Sequence, residues 1–182
     1  FYNKRKATIQ SELKKANGKD WSKKLQKLTD KRYEMIKYQM HCISKYVVDW
    51  CVLYGIDTLI VGHNNNWKQE NKGMQNFTYI PYKLFLQMLA YKCENNGIKF
   101  IENEESYTSG TSFLDNEDPI KENYKKERRV YRGLFVSNDG KKINADVNGA
   151  YQIMKKVIPD AFSKGIEGAG LHPTIINLAC SR

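Results

Sequence analysis

The spacing of apolar residues changes character along the chain, and each change predicts a different element. Ile9, Leu13 and Ala16 recur every three to four residues behind Lys4, Arg5 and Lys6, which predicts a helix from the first residues onward. Asn17-Gly18 ends it as a turn, and Asp20 is a candidate N-cap for a longer second helix. Along that helix Ile36, Met40, Ile43, Val47, Trp50 and Tyr54 form a seam of heptad type, with Leu25 and Leu28 extending it toward the turn. The pair is expected to fold as an antiparallel hairpin with its basic faces outward and the end of the second helix on the domain core. Gly55 closes the helix, and the continuous apolar run through Leu59, Ile60 and Val61 reads as a buried strand. His63, Asn64, Asn65 and Asn66 follow as a polar loop at the strand's C-terminal end, the edge where open α/β sheets bind ligands. His63 is read as a hydrogen-bonding structural residue. Residues 68–76 lack a hydrophobic pattern and read as a mobile loop.

Pro81 opens a helix with Leu84, Phe85, Met88 and Leu89 on one face, and Asn96-Gly97 ends it. Residues 98–101 are a strand that runs into Glu104 and Glu105. Residues 109–127 are so polar that they read as an excursion loop, partly disordered. Segments 130–135 and 142–144 flank Asn138-Asp139-Gly140, a hairpin turn by composition. Val147, Ile153, Met154 and Val157 mark a last helix stopped by Pro159, and Leu171-His172-Pro173 either packs back on the fold or stays loose.

With 182 residues, 41% of them hydrophobic, the chain can bury one real core and an appendage. No run approaches the roughly 18 apolar residues of a membrane span, and no secretory signal is present, so a cytoplasmic protein without membrane contact is expected. Cys42, Cys51, Cys93 and Cys180 are scattered without metal-ligand spacing and read as reduced thiols. Charge is more informative. Residues 1–45 hold 13 Lys and Arg against 4 Asp and Glu, whereas the remainder holds 17 against 16. A basic block of this kind is a footprint for phosphate backbone or a solvated helical face.

Two acidic positions stand where chemistry is expected. Asp146 lies where a strand-like run gives way to a helix, a place for an N-cap or for a metal ligand. Glu105 follows a strand about forty residues earlier. Metal-assisted phosphodiester cleavage needs carboxylates converging on rigid elements so that Mg²⁺ ions roughly 3.5–4 Å apart can activate water and stabilise the leaving oxygen. Spacing alone does not bring the two together.

Here the sequence resembles the TnpB-type proteins of insertion-sequence transposons and their eukaryotic Fanzor relatives, the OrfB-type transposase family. The resemblance runs in order through Phe1-Tyr2-Asn3-Lys4-Arg5-Lys6-Ala7, Val61-Gly62-His63-Asn64, Trp67-Lys68-Gln69, Phe77, Ile80-Pro81-Tyr82, Glu105-Ser106-Tyr107-Thr108-Ser109 and Ile143-Asn144-Ala145-Asp146-Val147-Asn148-Gly149-Ala150. It implies an α/β fold: an RNase H-like, RuvC-type mixed sheet with flanking helices, incomplete at its N-terminus, plus the basic helical hairpin. Expected boundaries are 1–54 for the hairpin, 55–160 for the C-terminal part of the nuclease domain and 161–182 for a tail.

The implied activity is RNA-guided cleavage of DNA, with DNA and a guide RNA as partners and Mg²⁺, or Mn²⁺, as cofactor. By resemblance Asp146 is a catalytic metal ligand. The commoner pattern puts another catalytic Glu at the end of the strand over 58–61, where this chain has Gly62; some members use a relocated Glu before the Thr-Ser motif, which here is Glu105, with Glu104 as the neighbouring alternative. The usual four-Cys zinc module has no counterpart, since residues 109–145 contain no Cys, so zinc is not expected and a hairpin centred on Tyr131 is expected to hold that region by packing. The first catalytic Asp belongs on an early strand upstream of the hairpin, so these residues alone are expected to cut little or nothing. The alternatives are a non-catalytic nucleic-acid-binding module and a decayed transposon remnant.

Overall fold

The computed structural model describes residues 1–64, 80–163, 165 and 170–176. The motif residues Trp67, Lys68, Gln69 and Phe77, the loop expected over 68–76, Asn65, Asn66, Cys180 and part of the tail lie outside the described residues. The chain forms two compact units, one gathering residues 1–56 with the helix that ends before Gly97, the other gathering the strands and the segment from Ile98 onward.

The first unit is helical. Helix α1, Tyr2–Asn17, stops at Gly18, whose backbone takes the left-handed conformation (φ 69°) that glycine adopts without a steric cost. Helix α2, Lys23–Leu53, begins at Ser22 rather than at the expected Asp20: the Ser22 hydroxyl accepts the Leu25 amide at 3.2 Å, while Asp20 pairs with Lys14 at 3.1 Å. Removing that cap, Ser22→Ala, is expected to cost about 1 kcal/mol, read as a lower denaturant midpoint. The helices fold back on each other around buried Ile9 and Leu25, with the Tyr2 hydroxyl 2.9 Å from that of Thr29 and the Arg32 guanidinium over the Tyr2 ring.

Helix α3, Tyr82–Asn95, packs on α2 and decides which stripe of α2 is buried. That stripe is Met40, Ser44, Val48 and Cys51, which keeps Met40 of the expected seam but leaves Ile43, Trp50 and Tyr54 exposed. The small Ser44 leaves room for Lys92 of α3, whose ammonium donates to the Ser44 hydroxyl at 2.7 Å and to the His41 carbonyl at 2.8 Å. Burial pushes the Lys92 pKa down, and the two acceptors keep a charged group tolerable at the helix contact. Cys51 and Cys93 are buried free thiols.

The second unit is a mixed α/β assembly of two small sheets and one helix. Strand β1, Thr58–His63, pairs in parallel with β2, Lys99–Glu104, in a register that sets Gly62 opposite Asn103 and His63 opposite Glu104. Strands β3, Leu134–Val136, and β4, Lys142–Asn144, form an antiparallel hairpin through a turn in which Gly140 has φ 76°. Helix α4, Ala145–Val157, follows β4 directly and touches all four strands. The core comprises Phe113, Phe135, Ile143 and Ala145, with Tyr151, Phe162 and Leu171 packed on it, so the Leu171 segment does pack back.

Two expectations are corrected. Residues 109–127 are ordered: Thr111, Ser112 and Phe113 are buried, and short 3-10 turns occupy Lys121–Asn123 and Lys126–Arg128. The segment carries almost no apolar periodicity because its buried hydroxyls and amides are fixed by hydrogen bonds instead. Tyr131 does not hold the hairpin, being 63% exposed; Phe135 and Ile143 fill the core, and an ion pair does the rest. Arg128 donates to both carboxylate oxygens of Glu117, at 2.5 and 2.8 Å, and to the Asn138 side chain at 2.9 Å. Glu117 also accepts the Ser112 amide at 2.9 Å, and these donors hold its carboxyl below the usual carboxylate range, the Arg128 hydrogen bond foremost.

Candidate active site

Helix α4 is the spine of the site, because both acidic segments are tied to it. Asn148, fully buried, accepts the Phe113 amide at 2.9 Å and donates to the Thr111 carbonyl at 2.8 Å. Lys156 donates to the Glu104 carbonyl at 2.9 Å and to the Ser106 carbonyl at 3.2 Å. The stretch from Glu104 to Phe113 is therefore held at its start by Lys156 and at its end by Asn148, both on the helix that carries Asp146. Sequence reasoning quoted Asn148 as part of a motif but gave it no role; a buried Asn that satisfies two backbone groups is invisible until its partners are known.

Asn144, not Asp146, caps α4. Its side-chain oxygen accepts the amides of Asp146 and Val147 at 2.9 and 3.1 Å. This takes the bland role away from Asp146, whose carboxylate is 81% exposed and, among the described residues, pairs with Arg129 at 3.2 Å. Both Asp146 and Glu105 line one open cleft of about 600 Å³, together with Asn64, Tyr107, Tyr124, Arg129 and the Ala145, Gly149 and Ala150 surface of α4.

Glu104 and Glu105 have different surroundings. The Glu104 carboxylate closes a turn on Ser106, accepting its amide at 2.9 Å and its hydroxyl at 2.5 Å, and lies 3.5 Å from Lys156. The Ser106 hydroxyl, more than any other group, holds its pKa down. Glu105 continues the parallel ladder, its amide donating to the His63 carbonyl at 3.1 Å, and its carboxylate has no hydrogen-bond or ion-pair partner among the described residues. One of its oxygens lies 3.1 Å from where a Cβ on Gly62 would stand. Position 62 has no side chain, and Glu105 reaches the space beside it.

The same Cβ would run into the Ile153 side chain, so Gly62 is a close approach between β1 and α4. Gly62→Ala is expected to lower stability by about 1–3 kcal/mol through overpacking, measured by chemical denaturation.

As donors the two carboxylates suit a hard cation such as Mg²⁺, which takes one or two carboxylates and keeps several waters. Among the described residues no group of three or more His, Cys, Asp or Glu side chains stands close enough to hold a metal ion, so a third acidic ligand is not present there. Also among them, no helix is long and apolar enough to cross a membrane.

Residues 1–68 match the family described as a probable transposase, OrfB of the IS605 type, and residues 82–153 match the Cas12f1-like TNB domain. The fold is similar to that of a chain in a cryo-EM structure of the Cas12f1–sgRNA–target DNA complex, at a TM-score of 0.57 and 21% identity over 84% of this chain. This chain spans 40% of that one. No curated protein matches. The chain is a mixed α/β protein whose first segment is similar to that transposase family and whose second is similar to the TNB domain.

Proposed function

We propose that the chain is the C-terminal part of an RNA-guided DNA endonuclease with a RuvC-type, RNase H-like domain, in which Glu105 and Asp146 hold divalent metal for phosphodiester hydrolysis. The observation that carries this reading is the Glu105 carboxylate beside Gly62, without a partner among the described residues, on the same cleft as Asp146. Mg²⁺ or Mn²⁺ bound there supplies an activated water and charge stabilisation at the leaving oxygen. The chain's own residues do the positioning. Asn144 satisfies the amides at the start of α4 and leaves the Asp146 carboxylate for other work, while Asn148 and Lys156 fix the Glu105 segment against the same helix. Arg129, paired with Asp146, places a cation where an anionic phosphate chain would enter. The exposed lysines of α1 and α2 give nucleic acid a basic face whose grip weakens as salt rises.

Two carboxylates leave such ions short of ligands, and catalytic groups that act as a unit lose most of their effect when one is absent. The described residues are thus proposed to cut little without a third carboxylate from an upstream strand. The test is Mg²⁺- and Mn²⁺-dependent nicking of single-stranded DNA by the chain joined to that segment. Cleavage that disappears in Asp146→Ala supports the reading. Nucleic-acid binding that is salt-sensitive but indifferent to Asp146→Ala and to metal, with no nicking, favours a binding module instead.

A further inference from the structure

Tyr107 and Tyr124 stand at the rim of the carboxylate cleft, and neither is placed as a core residue would be. Their rings meet edge to face, with centroids 6.0 Å apart at 72°, and remain 40% and 38% exposed. By contrast the rings of Phe113, Tyr151 and Phe162 lie 4.4 to 5.5 Å apart and pack in and against the core. Among the described residues neither rim hydroxyl has a hydrogen-bond partner, so the rings are not held there by their polar ends.

The backbone makes the point more sharply. Tyr107 has φ 64°, a left-handed conformation that Gly or Asn adopts more readily than a bulky ring; among the described residues the other non-glycine residue of this kind is Asn116, at φ 54°. Strain of this sort gathers at ligand sites, where the surroundings enforce it. Here the Thr108 amide and hydroxyl bind the Glu105 carbonyl, and the Thr111 hydroxyl binds the Tyr107 carbonyl, so the turn is over-determined on both sides. Tyr124 is fixed in turn: its ring lies so close to Gly110 that any Cβ there would strike it. Across the cleft, a Cβ on Gly149 would meet nothing within 4 Å, so its lack of a side chain serves no internal packing and leaves room over α4.

We propose that Tyr107 and Tyr124 form a base-stacking subsite that takes the unpaired base beside the phosphate addressed by Glu105 and Asp146. The proposal rests on the nuclease reading for the position of that phosphate. Aromatic faces bind bases with little regard to sequence, and only a base out of its duplex stack has a free face to offer. The substrate class is accordingly a single strand, gripped through a ring rather than through hydrogen-bond readout.

The test uses the 182-residue chain and a short oligothymidylate carrying one 2-aminopurine, in Ca²⁺ without Mg²⁺. Quenching of the 2-aminopurine on binding is expected, with affinity about 5- to 100-fold weaker in Tyr107→Gly and in Tyr124→Leu and little changed in the Phe variants. Glycine suits the backbone at 107, so Tyr107→Gly should fold at least as well as the parent, which separates a lost ring from a lost fold. An abasic site in place of the probe should erase the difference between parent and variant. An unquenched probe, or Tyr107→Gly binding like the parent, overturns the subsite. Ring-dependent quenching without metal-dependent nicking in the joined chain would sink the nuclease reading alone; nicking without ring-dependent quenching would sink the subsite alone.

Discussion

Glu105→Ala, in the chain joined to its upstream segment, is expected to lower metal-dependent strand cleavage by about a thousand-fold or more, whereas Glu104→Ala is expected to leave it within a few-fold. The two residues are adjacent, so composition, local charge and solubility change alike in both variants. What differs is geometry. The Glu104 carboxylate is spent on Ser106 and Lys156, where it shapes the turn, while Glu105 faces the cleft beside Gly62. Initial rates on single-stranded DNA at saturating Mg²⁺ would decide the matter. Equal loss in both variants would mean that the turn, not the carboxylate, is what cleavage requires, and a loss confined to Glu104→Ala would reverse the assignment.

Glu117→Gln is the second large effect, and it concerns stability. Glu117 and Arg128 are 16% and 9% exposed and joined by two parallel hydrogen bonds, with Asn138 and the Ser112 amide completing the cluster. Removing one charge from a buried pair costs about 3–5 kcal/mol because the other charge is left without compensation. In a protein whose whole margin is about 5–15 kcal/mol, that lowers the midpoint of thermal unfolding by roughly 10 °C. Replacing both partners together by Met should cost much less than either single change, which separates the buried charge from the packing. The pH dependence has a definite sign. The carboxyl of Glu117 is depressed in the folded state, so its contribution is fully present above the unfolded value near 4.5 and is lost as pH falls below it toward the folded value. Differential scanning calorimetry from neutral pH downward should show parent and Glu117→Gln converging only in acid. The cluster also ties together residues far apart in the segment between the Thr-Ser motif and Asp146, and the Asn138 amide adds a bond to the Asp115 carboxylate.

What could be read from the sequence followed the strength of local signals. The long second helix, the Gly18 and Gly97 stops and the 138–140 turn carry their information in neighbouring residues, whereas the cleft shared by Glu105 and Asp146 is a tertiary contact that local spacing does not record. The buried stripe of α2 is not local either. Its apolar residues run round most of the helix, and only the position of α3 selects Met40, Ser44, Val48 and Cys51 over Ile43 and Trp50. The cap at Ser22 was obscured because Asp20 has an equally suitable side chain, and a pairing with Lys14 decides between them. Residues 109–127 looked like a loop because Thr111, Ser112 and Asn148 are buried by polar contacts thirty or more residues apart, which no periodicity records. The choice between Glu104 and Glu105 was open because strand β2 ends between them.

The parallel register of β1 and β2 makes two places in the chain, far apart in sequence, share one point in space. A functional group can therefore migrate from one strand end to the other without any backbone moving, provided the old position shrinks to let the newcomer in. Read column by column against relatives with an acidic residue at the first position, a chain of this kind would be scored as having lost its site. Its inventory of groups per volume would be unchanged. In this architecture a glycine at one strand end is therefore weighed together with the side chain that fills the space beside it from the neighbouring strand end.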